Sequence, residues 1–120
     1  MWTALGIALA GGLGAGARHL VDTALSSRRS TRFPWGILTV NLTGAFVIGV
    51  LTGLAADHPL MTIGTTGFLG GYTTFSTASL DTVQLLGQRR YRAALANGAG
   101  MLVAAVALAV GGILLGRSLV

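Results

Sequence analysis

The chain has 120 residues, 52% of them hydrophobic and only 9% charged, and its formal net charge is +5. These are too few charges to cover a soluble globule, so the composition indicates a membrane protein. The absence of cysteine excludes disulfides, thiolate metal sites and a cysteine nucleophile. All 8 basic residues are arginines, most of them between apolar segments, where they set membrane orientation rather than bind nucleic acid.

Four apolar segments lie one after another along the chain, at residues 3–25, 35–56, 60–86 and 92–116. Each is close to the roughly 20 residues that a helix needs to cross about 30 Å of hydrocarbon. The start of the chain lacks the basic region of a signal peptide, so we interpret the first segment as a retained helix. The connections are short, and the sequence therefore predicts a single all-α transmembrane domain of four helices over residues 1–120.

Each segment carries a pair of glycines four residues apart, a spacing that lets two helix backbones approach closely. We expect these pairs to serve helix packing, with the third pair also open to a functional role. Because four helices of this size enclose little space, we expect tight association with a second subunit. The pairs are Gly12 and Gly16, Gly49 and Gly53, Gly67 and Gly71, and Gly112 and Gly116.

Arg18 lies near the predicted membrane boundary of the first segment. Its long side chain can extend toward the lipid headgroups, and Asp22 one turn later is a candidate partner. Alternatively, its charge attracts anions to the mouth of a pathway. The sequence leaves these two roles open.

Asn41 is a polar residue inside the second apolar segment. An amide is costly in hydrocarbon unless it is paired, so Asn41 either bonds a neighbouring helix or faces a polar pathway. Its N–H groups are suitable donors to a small anion. We therefore treat Asn41 as a candidate functional residue.

The third segment contains the stretch Gly67-Phe68-Leu69-Gly70-Gly71-Tyr72-Thr73-Thr74-Phe75-Ser76-Thr77. Glycine costs a helix about 1 kcal/mol relative to alanine, and serine and threonine compete for backbone hydrogen bonds. We therefore predict that this helix breaks at Gly70–Thr74. Non-helical backbone at membrane depth is tolerated only where protein buries it or where it lines a hydrated cavity, so the break indicates an ion site.

The octapeptide Gly70-Gly71-Tyr72-Thr73-Thr74-Phe75-Ser76-Thr77 resembles the signature of the Fluc (CrcB) fluoride channels, small bacterial membrane proteins that let fluoride leave the cell. Two further matches extend the resemblance over most of the chain. One is the glycine-rich run that leads through Gly14-Ala15 to Arg18, and the other is Val40-Asn41 followed by glycine and phenylalanine. The resemblance implies passive efflux of cytoplasmic fluoride, which reduces its toxicity.

The resemblance also implies specific site residues. A structural Na⁺ is expected at the centre of an antiparallel dimer, bound by the backbone carbonyls of Gly70 and Thr73, since carbonyl dipoles freed by a helix break can replace water around a hard cation. The edge of the Phe75 ring is positive and can favour an anion. The fluoride pathway implied by the resemblance is lined by Asn41, Phe75, Ser76, Thr77 and Arg18.

Two features depart from the family's pattern. The family normally has a second phenylalanine three residues after the first, where this chain has Ala78. The family also usually places hydroxyl residues along the fourth helix, whereas the run after Asn97 contains none through Ala107. We therefore expect this chain not to complete a standard conduction path by itself.

The arginines are distributed unequally between the two sides of the predicted membrane domain. The side with the first and third loops has Arg28, Arg29, Arg32, Arg89, Arg90 and Arg92, and the other side has only Arg117. This bias predicts that both arginine loops are cytoplasmic and both termini lie outside the bacterial inner membrane. A self-paired antiparallel dimer requires insertion in both orientations, so the sequence favours pairing with a homologous second chain over pairing with itself.

Two alternatives stay open at the level of sequence. A proton-coupled small multidrug exporter also has four short helices, but it needs an intramembrane carboxylate, for which Asp81 is the least excluded candidate. The other alternative is a non-conducting structural partner subunit of the channel. The absence of a nucleotide-binding loop or a catalytic constellation argues against an enzyme.

Overall fold

The computed structural model describes residues 1–28, 33–54 and 59–120, apart from the side chains of 26–28. These residues contain helices and turns and no strand, which confirms the all-α class. The helices are α1 (Trp2–Arg28), α2 (Trp35–Gly53), α3 (residues 59–72), α4 (Ser76–Gly87) and α5 (residues 91–118). Because α3 and α4 together form the third segment, the described residues form four helical segments, as predicted.

Three of these segments are long and apolar enough to cross a membrane: Trp2–Leu25, Trp35–Gly53 and Tyr91–Ser118. The third segment is missing from this set because its helix is interrupted. These lengths and apolar compositions are those of membrane-spanning helices. Helix α2 is described through Gly53, and the Leu54 N–H donates to the Val50 carbonyl at 3.0 Å; the predicted end of this segment at residue 56 lies outside the described residues.

The third segment is irregular along most of its length. Helix α3 begins with the α-helical turn Pro59–Thr62, continues as the π-helix Ile63–Leu69 and ends with the α-helical turn Gly70–Tyr72. Thr73 is extended, with φ −81° and ψ 158°, and helix α4 starts at Ser76. The predicted break therefore exists, but it covers residues 73–75 rather than beginning at Gly70.

Gly70 and Gly71 are helical, and packing rather than chain reversal requires the glycine at position 71. A Cβ on Gly71 would overlap the backbone of Gly11 in α1, and one on Gly67 would lie 2.9 Å from the Cβ of Ala10. Likewise, a Cβ on Gly14 would overlap the carbonyl of Phe68. The glycines thus bring α1 and α3 into close contact, and the threonines that follow interrupt the helix.

Helices α2 and α5 pack together through two of the predicted glycine pairs. A Cβ on Gly49 or Gly53 would overlap the α5 backbone at Ala109 or Ile113, and Gly112 and Gly116 lie against the α2 backbone in the same way. The packing role predicted for these pairs is confirmed. In contrast, a Cβ on Gly12 or Gly16 would meet no atom within 4 Å among the described residues, so this pair lies on an open face of α1.

The loops relevant to orientation are described only in part. Arg89, which has a positive φ of 59°, and Arg90 lie between α4 and α5. Arg29 and Arg32 of the first loop, the side chain of Arg28, and Asp57 of the second loop lie outside the described residues. The sidedness of the loops and termini therefore stays a prediction.

Candidate functional site at the helix break

The side chain of Asn41 in α2 bonds both the backbone N–H and the backbone carbonyl of Thr74 in the break. Its Nδ2 donates to the Thr74 carbonyl at 2.8 Å, and its Oδ1 accepts the Thr74 N–H at 2.8 Å. In an unbroken helix that N–H would donate to the carbonyl of Gly70, four residues earlier. The Asn41 amide thus replaces the helical partner of Thr74 and holds the break open. Of the two roles predicted for Asn41, bonding to a neighbouring segment is observed.

Gly44, one turn after Asn41, lets the break approach α2. A Cβ at this position would overlap the Thr73 side chain and lie 3.3 Å from the Tyr72 ring. The Tyr72 hydroxyl also lies 3.2 Å from the Thr43 hydroxyl, which joins α3 to α2 at the same level. Sequence reasoning did not identify Gly44 as part of the site, because its role depends on a contact with a distant segment.

The hydroxyl groups predicted to break the helix also stabilise its two ends. The Thr73 Oγ1 donates to the Leu69 carbonyl at 2.9 Å, at the end of α3. The Thr74 Oγ1 accepts the Thr77 N–H at 3.2 Å, in the first turn of α4. This contact satisfies one of the donors that a helix leaves free at its start. Local sequence and tertiary pairing therefore favour the same interruption.

Arg18 points from α1 toward the break. Its side chain is half-buried, and Nη1 donates to the Thr73 carbonyl at 3.4 Å. This position favours a role at the site over extension toward the headgroups. A guanidinium here places a permanent positive charge beside the backbone of the break.

The backbone carbonyls predicted to bind Na⁺ belong to Gly70 and Thr73. The Gly70 carbonyl loses the helical donor Thr74 N–H to Asn41, which leaves it suited to a hard cation. The Thr73 carbonyl faces the Arg18 guanidinium, so a cation at this position shares that oxygen with Arg18. Two carbonyls from one chain cannot complete a sodium shell. The residues fit the ion only if a second copy or a homologous chain supplies further oxygens.

The three predicted pathway residues after the break differ in burial. Phe75 is 87% exposed, so the described part of the chain covers little of its ring. Ser76 is exposed and Thr77 is half-buried. All three directly follow Thr74, the residue whose backbone Asn41 binds. A pathway that uses the Phe75 ring must therefore be completed outside this fold.

A cavity of about 520 Å³ opens beside the break, between α2, α4 and α5. Asn41, Thr74 and Phe75 line its end at the break. The polar groups farther along its wall belong mainly to α4, which faces the mostly apolar α5. The lining residues from these two helices are Ala78, Ser79, Thr82, Asn97, Gly98, Met101, Leu102 and Ala105.

Asn97 is a buried polar residue that the sequence analysis left without a role. It is 1% exposed, and its Nδ2 donates to the Ala78 carbonyl at 3.2 Å and to the Thr82 Oγ1 at 2.9 Å. Its Oδ1 has no hydrogen-bond partner within the described ranges. It lies in the π-helix Ala96–Gly100, and such stretches recur at functional sites. An amide inside a membrane segment, next to a glycine, was the available signal.

Ala78, which stands where the resemblance leads one to expect a second phenylalanine, is buried. It is 8% exposed and packs with Ile37 of α2 and Met101 of α5, the latter 6% exposed. The small side chain of Ala78 and the long side chain of Met101 are complementary in size. The departure from the expected pattern thus coincides with a packed contact between Ala78 and Met101 in the wall of the cavity.

Comparison with known proteins agrees with this architecture. The family described as CrcB-like protein, Camphor Resistance (CrcB), matches residues 5–113. A relative named fluoride-specific ion channel FluC 1, from Leifsonia xyli subsp. xyli, is 51% identical over 116 residues, which cover 93% of this chain and 85% of the relative. A second relative, named fluoride-specific ion channel FluC 2 and from Mycobacterium tuberculosis, is 43% identical over 113 residues, which cover 94% of this chain and 86% of the relative.

A third relative, the fluoride-specific ion channel FluC of Rhodospirillum centenum, is 40% identical over 121 residues, covering 97% of this chain and 93% of the relative. The matched region includes most of α1, the Asn41-held break and most of α5. The resemblance inferred from the octapeptide is confirmed. This chain therefore belongs to the CrcB family.

Proposed function

We propose that this chain is a subunit of a fluoride-selective ion channel through which cytoplasmic fluoride leaves the cell passively. The observation that carries the proposal is the break at residues 73–75, held by Asn41 inside an otherwise apolar segment, in a chain whose relatives are named fluoride channels. Hydrogen fluoride enters from an acidic medium, dissociates in the neutral cytoplasm and leaves the anion trapped. A selective anion pathway drains it downhill.

The side chains at the break offer what a small anion needs in place of water. The hydroxyls of Ser76 and Thr77 are donors, and the exposed edge of Phe75 favours negative charge without providing a cation site. Arg18 raises the local concentration of anions near the break. Asn41 both fixes the break and borders the cavity beside it.

The chain works as half of an antiparallel dimer, with Na⁺ at the centre. Support for the dimer comes from the incomplete carbonyl set and from the outward ring of Phe75. The Gly70 and Thr73 carbonyls bind the ion together with oxygens of the partner. The ion supplies positive charge that neutralises the freed carbonyl dipoles and joins the two chains.

The sodium proposal predicts a stability difference that does not depend on transport. If Na⁺ binds only the assembled folded state, exchanging it for N-methylglucamine at constant chloride lowers Tm, as mass action requires. The measurement is thermal unfolding of the chain purified together with its homologous partner, in each cation. Equal Tm values in the two cations would contradict the bound ion.

The partner is a homologous chain with the opposite arginine bias, and the assembly lies in the bacterial inner membrane. The support is the arginine asymmetry, which fixes one orientation with the first and third loops in the cytoplasm. A chain restricted to one orientation cannot supply both halves of an antiparallel pair.

A cell assay tests the fluoride function as a whole. Bacteria that lack their own fluoride exporter are grown in fluoride with the chain and a homologous partner, together and separately. Growth should be rescued in fluoride, most clearly in acidic medium where hydrogen fluoride forms. Failure of every combination, with the chains inserted in the membrane, would reject the function.

A further inference from the structure

Met101 contacts the same amide that holds the break. The Asn41 Nδ2 carries two N–H groups: one donates to the Thr74 carbonyl at 2.8 Å and the other to the Met101 Sδ at 3.3 Å. The Asn41 Oδ1 accepts the Thr74 N–H. Both N–H groups and the oxygen of this amide therefore have partners within the chain, and no N–H is left for an anion.

Met101 is held in this position by packing. It is 6% exposed and lies in a cluster with Ile37 and Ala78, against which Leu38 and Leu42 also pack. Methionine is unbranched and flexible, so it fills irregular gaps of the kind left beside a small residue such as Ala78. The thioether is only a weak acceptor. Its place beside Asn41 therefore comes from the shape of the core more than from the hydrogen bond.

We propose that the Met101 thioether closes the fluoride pathway of this chain at Asn41, by occupying the place where an anion would accept the Asn41 N–H. This inference rests on the proposed function. It identifies one residue, 60 positions from Asn41 in the sequence, as the cause of the closure. Fluoride that crosses the assembly therefore does not bind the Asn41 amide of this chain.

The test compares two neighbouring substitutions on the cavity wall, Met101→Ser and Leu102→Ser. Each places a hydroxyl beside the cavity, but only the first removes the side chain that contacts Asn41. The readout is the side-chain amide resonance of Asn41 in the full chain, assembled with its homologous partner in lipid nanodiscs and isotope-labelled in this chain alone; the resonance is assigned by its loss in Asn41→Asp. Fluoride and chloride are titrated in turn.

The amide resonance of Asn41 should shift with fluoride, and not with chloride, in Met101→Ser. It should stay unchanged in the wild type and in Leu102→Ser. Met101→Leu, which keeps the bulk and loses the sulfur, should also stay unchanged, since the closure depends on volume. Met101→Ala serves in place of Met101→Ser if the latter fails to fold.

A fluoride-dependent shift in the wild type as large as that in Met101→Ser would overturn the proposal. The proposal would also be overturned if Met101→Ser or Met101→Ala folds and its Asn41 amide resonance does not shift with fluoride. These outcomes differ from failure of the proposed function, which is absence of fluoride transport in every pairing. A wild-type chain that transports fluoride and shows the shift refutes the closure alone.

Discussion

At the scale of single residues, the site depends on one amide. Asn41 bonds both the backbone N–H and the backbone carbonyl of Thr74, in a segment where lipid offers these groups no alternative partner. The sequence identified Asn41 as anomalous, since an amide in hydrocarbon must be paired. It could not identify Thr74 or Met101 as the partners, because these contacts join residues 33 and 60 positions apart.

Replacing Asn41 with leucine should destabilise the fold. The substitution leaves the Thr74 N–H and carbonyl unpaired, and each unsatisfied buried group costs about 1–3 kcal/mol. The measurement is unfolding of the purified chain in a detergent titration. Thr65→Val is the control, because the Thr65 hydroxyl bonds the Met61 carbonyl of its own helix, and it should shift the midpoint little. Equal effects of the two variants would contradict the role given to Asn41.

Replacing Arg18 with glutamine should slow fluoride flux, more strongly at low ionic strength. Arg18 is the charged side chain that contacts the break, and attraction over distance is screened within about 10 Å at 0.1 M salt. We expect a loss of up to about tenfold in low salt. The test is the ratio of fluxes at two ionic strengths, with Arg117→Gln at the far end of α5 as control. A loss that does not depend on salt would contradict the electrostatic role.

At the scale of elements, glycines determine which helices touch. The four segments were predictable from length and apolar composition, and the break was predictable from glycine and threonine content. Its position was not, because the helix continues through Gly71, which packs on α1, and Thr73 becomes extended where Asn41 binds its neighbour. The π-helices at Ile63–Leu69 and Ala96–Gly100 likewise have no local signal, since they depend on packing between segments.

Two adjacent glycines of α5 give a matched test of this packing. Gly112→Ala places a Cβ against the carbonyl of Phe46 and 2.8 Å from the Val50 nitrogen, whereas a Cβ on Gly111 meets no described atom within 4 Å. We expect Gly112→Ala to cost about 1–3 kcal/mol, the usual range for overpacking. Gly111→Ala should be neutral or stabilise by up to about 1 kcal/mol. Detergent unfolding midpoints measure both, and the reverse order would contradict the α2–α5 interface.

At the scale of the whole molecule, the described residues of this chain do not surround an ion pathway on all sides. Phe75 extends outward, the carbonyl set at the break is partial, and Gly12 and Gly16 lie on an open face of α1. The arginine distribution was readable from sequence because orientation depends on loop charge. The polar side of the cavity, formed by Ser79, Thr82 and Asn97, was not predicted from the sequence. The family resemblance places hydroxyl residues on the fourth segment, whereas the hydroxyls of Ser79 and Thr82 belong to the third.

The orientation can be tested by labelling, since the chain contains no cysteine. A cysteine at Gln88, between α4 and α5, should react with an impermeant maleimide only from the cytoplasmic side. One at Ser118, at the end of α5, should react only from outside. The unmodified chain is the control and should not react. Labelling of either position from both sides would show dual insertion and remove the argument for a homologous partner.

The most direct test of the central claim is efflux of fluoride from liposomes that contain the purified chain together with a homologous chain of opposite arginine bias. Chloride-loaded liposomes serve as the comparison, and each chain alone is measured beside the pair. The account predicts rapid fluoride loss from the pair, retention of chloride, and no fluoride loss through this chain alone. Retention of fluoride by the folded pair, or equal loss of chloride, would contradict a fluoride-selective channel.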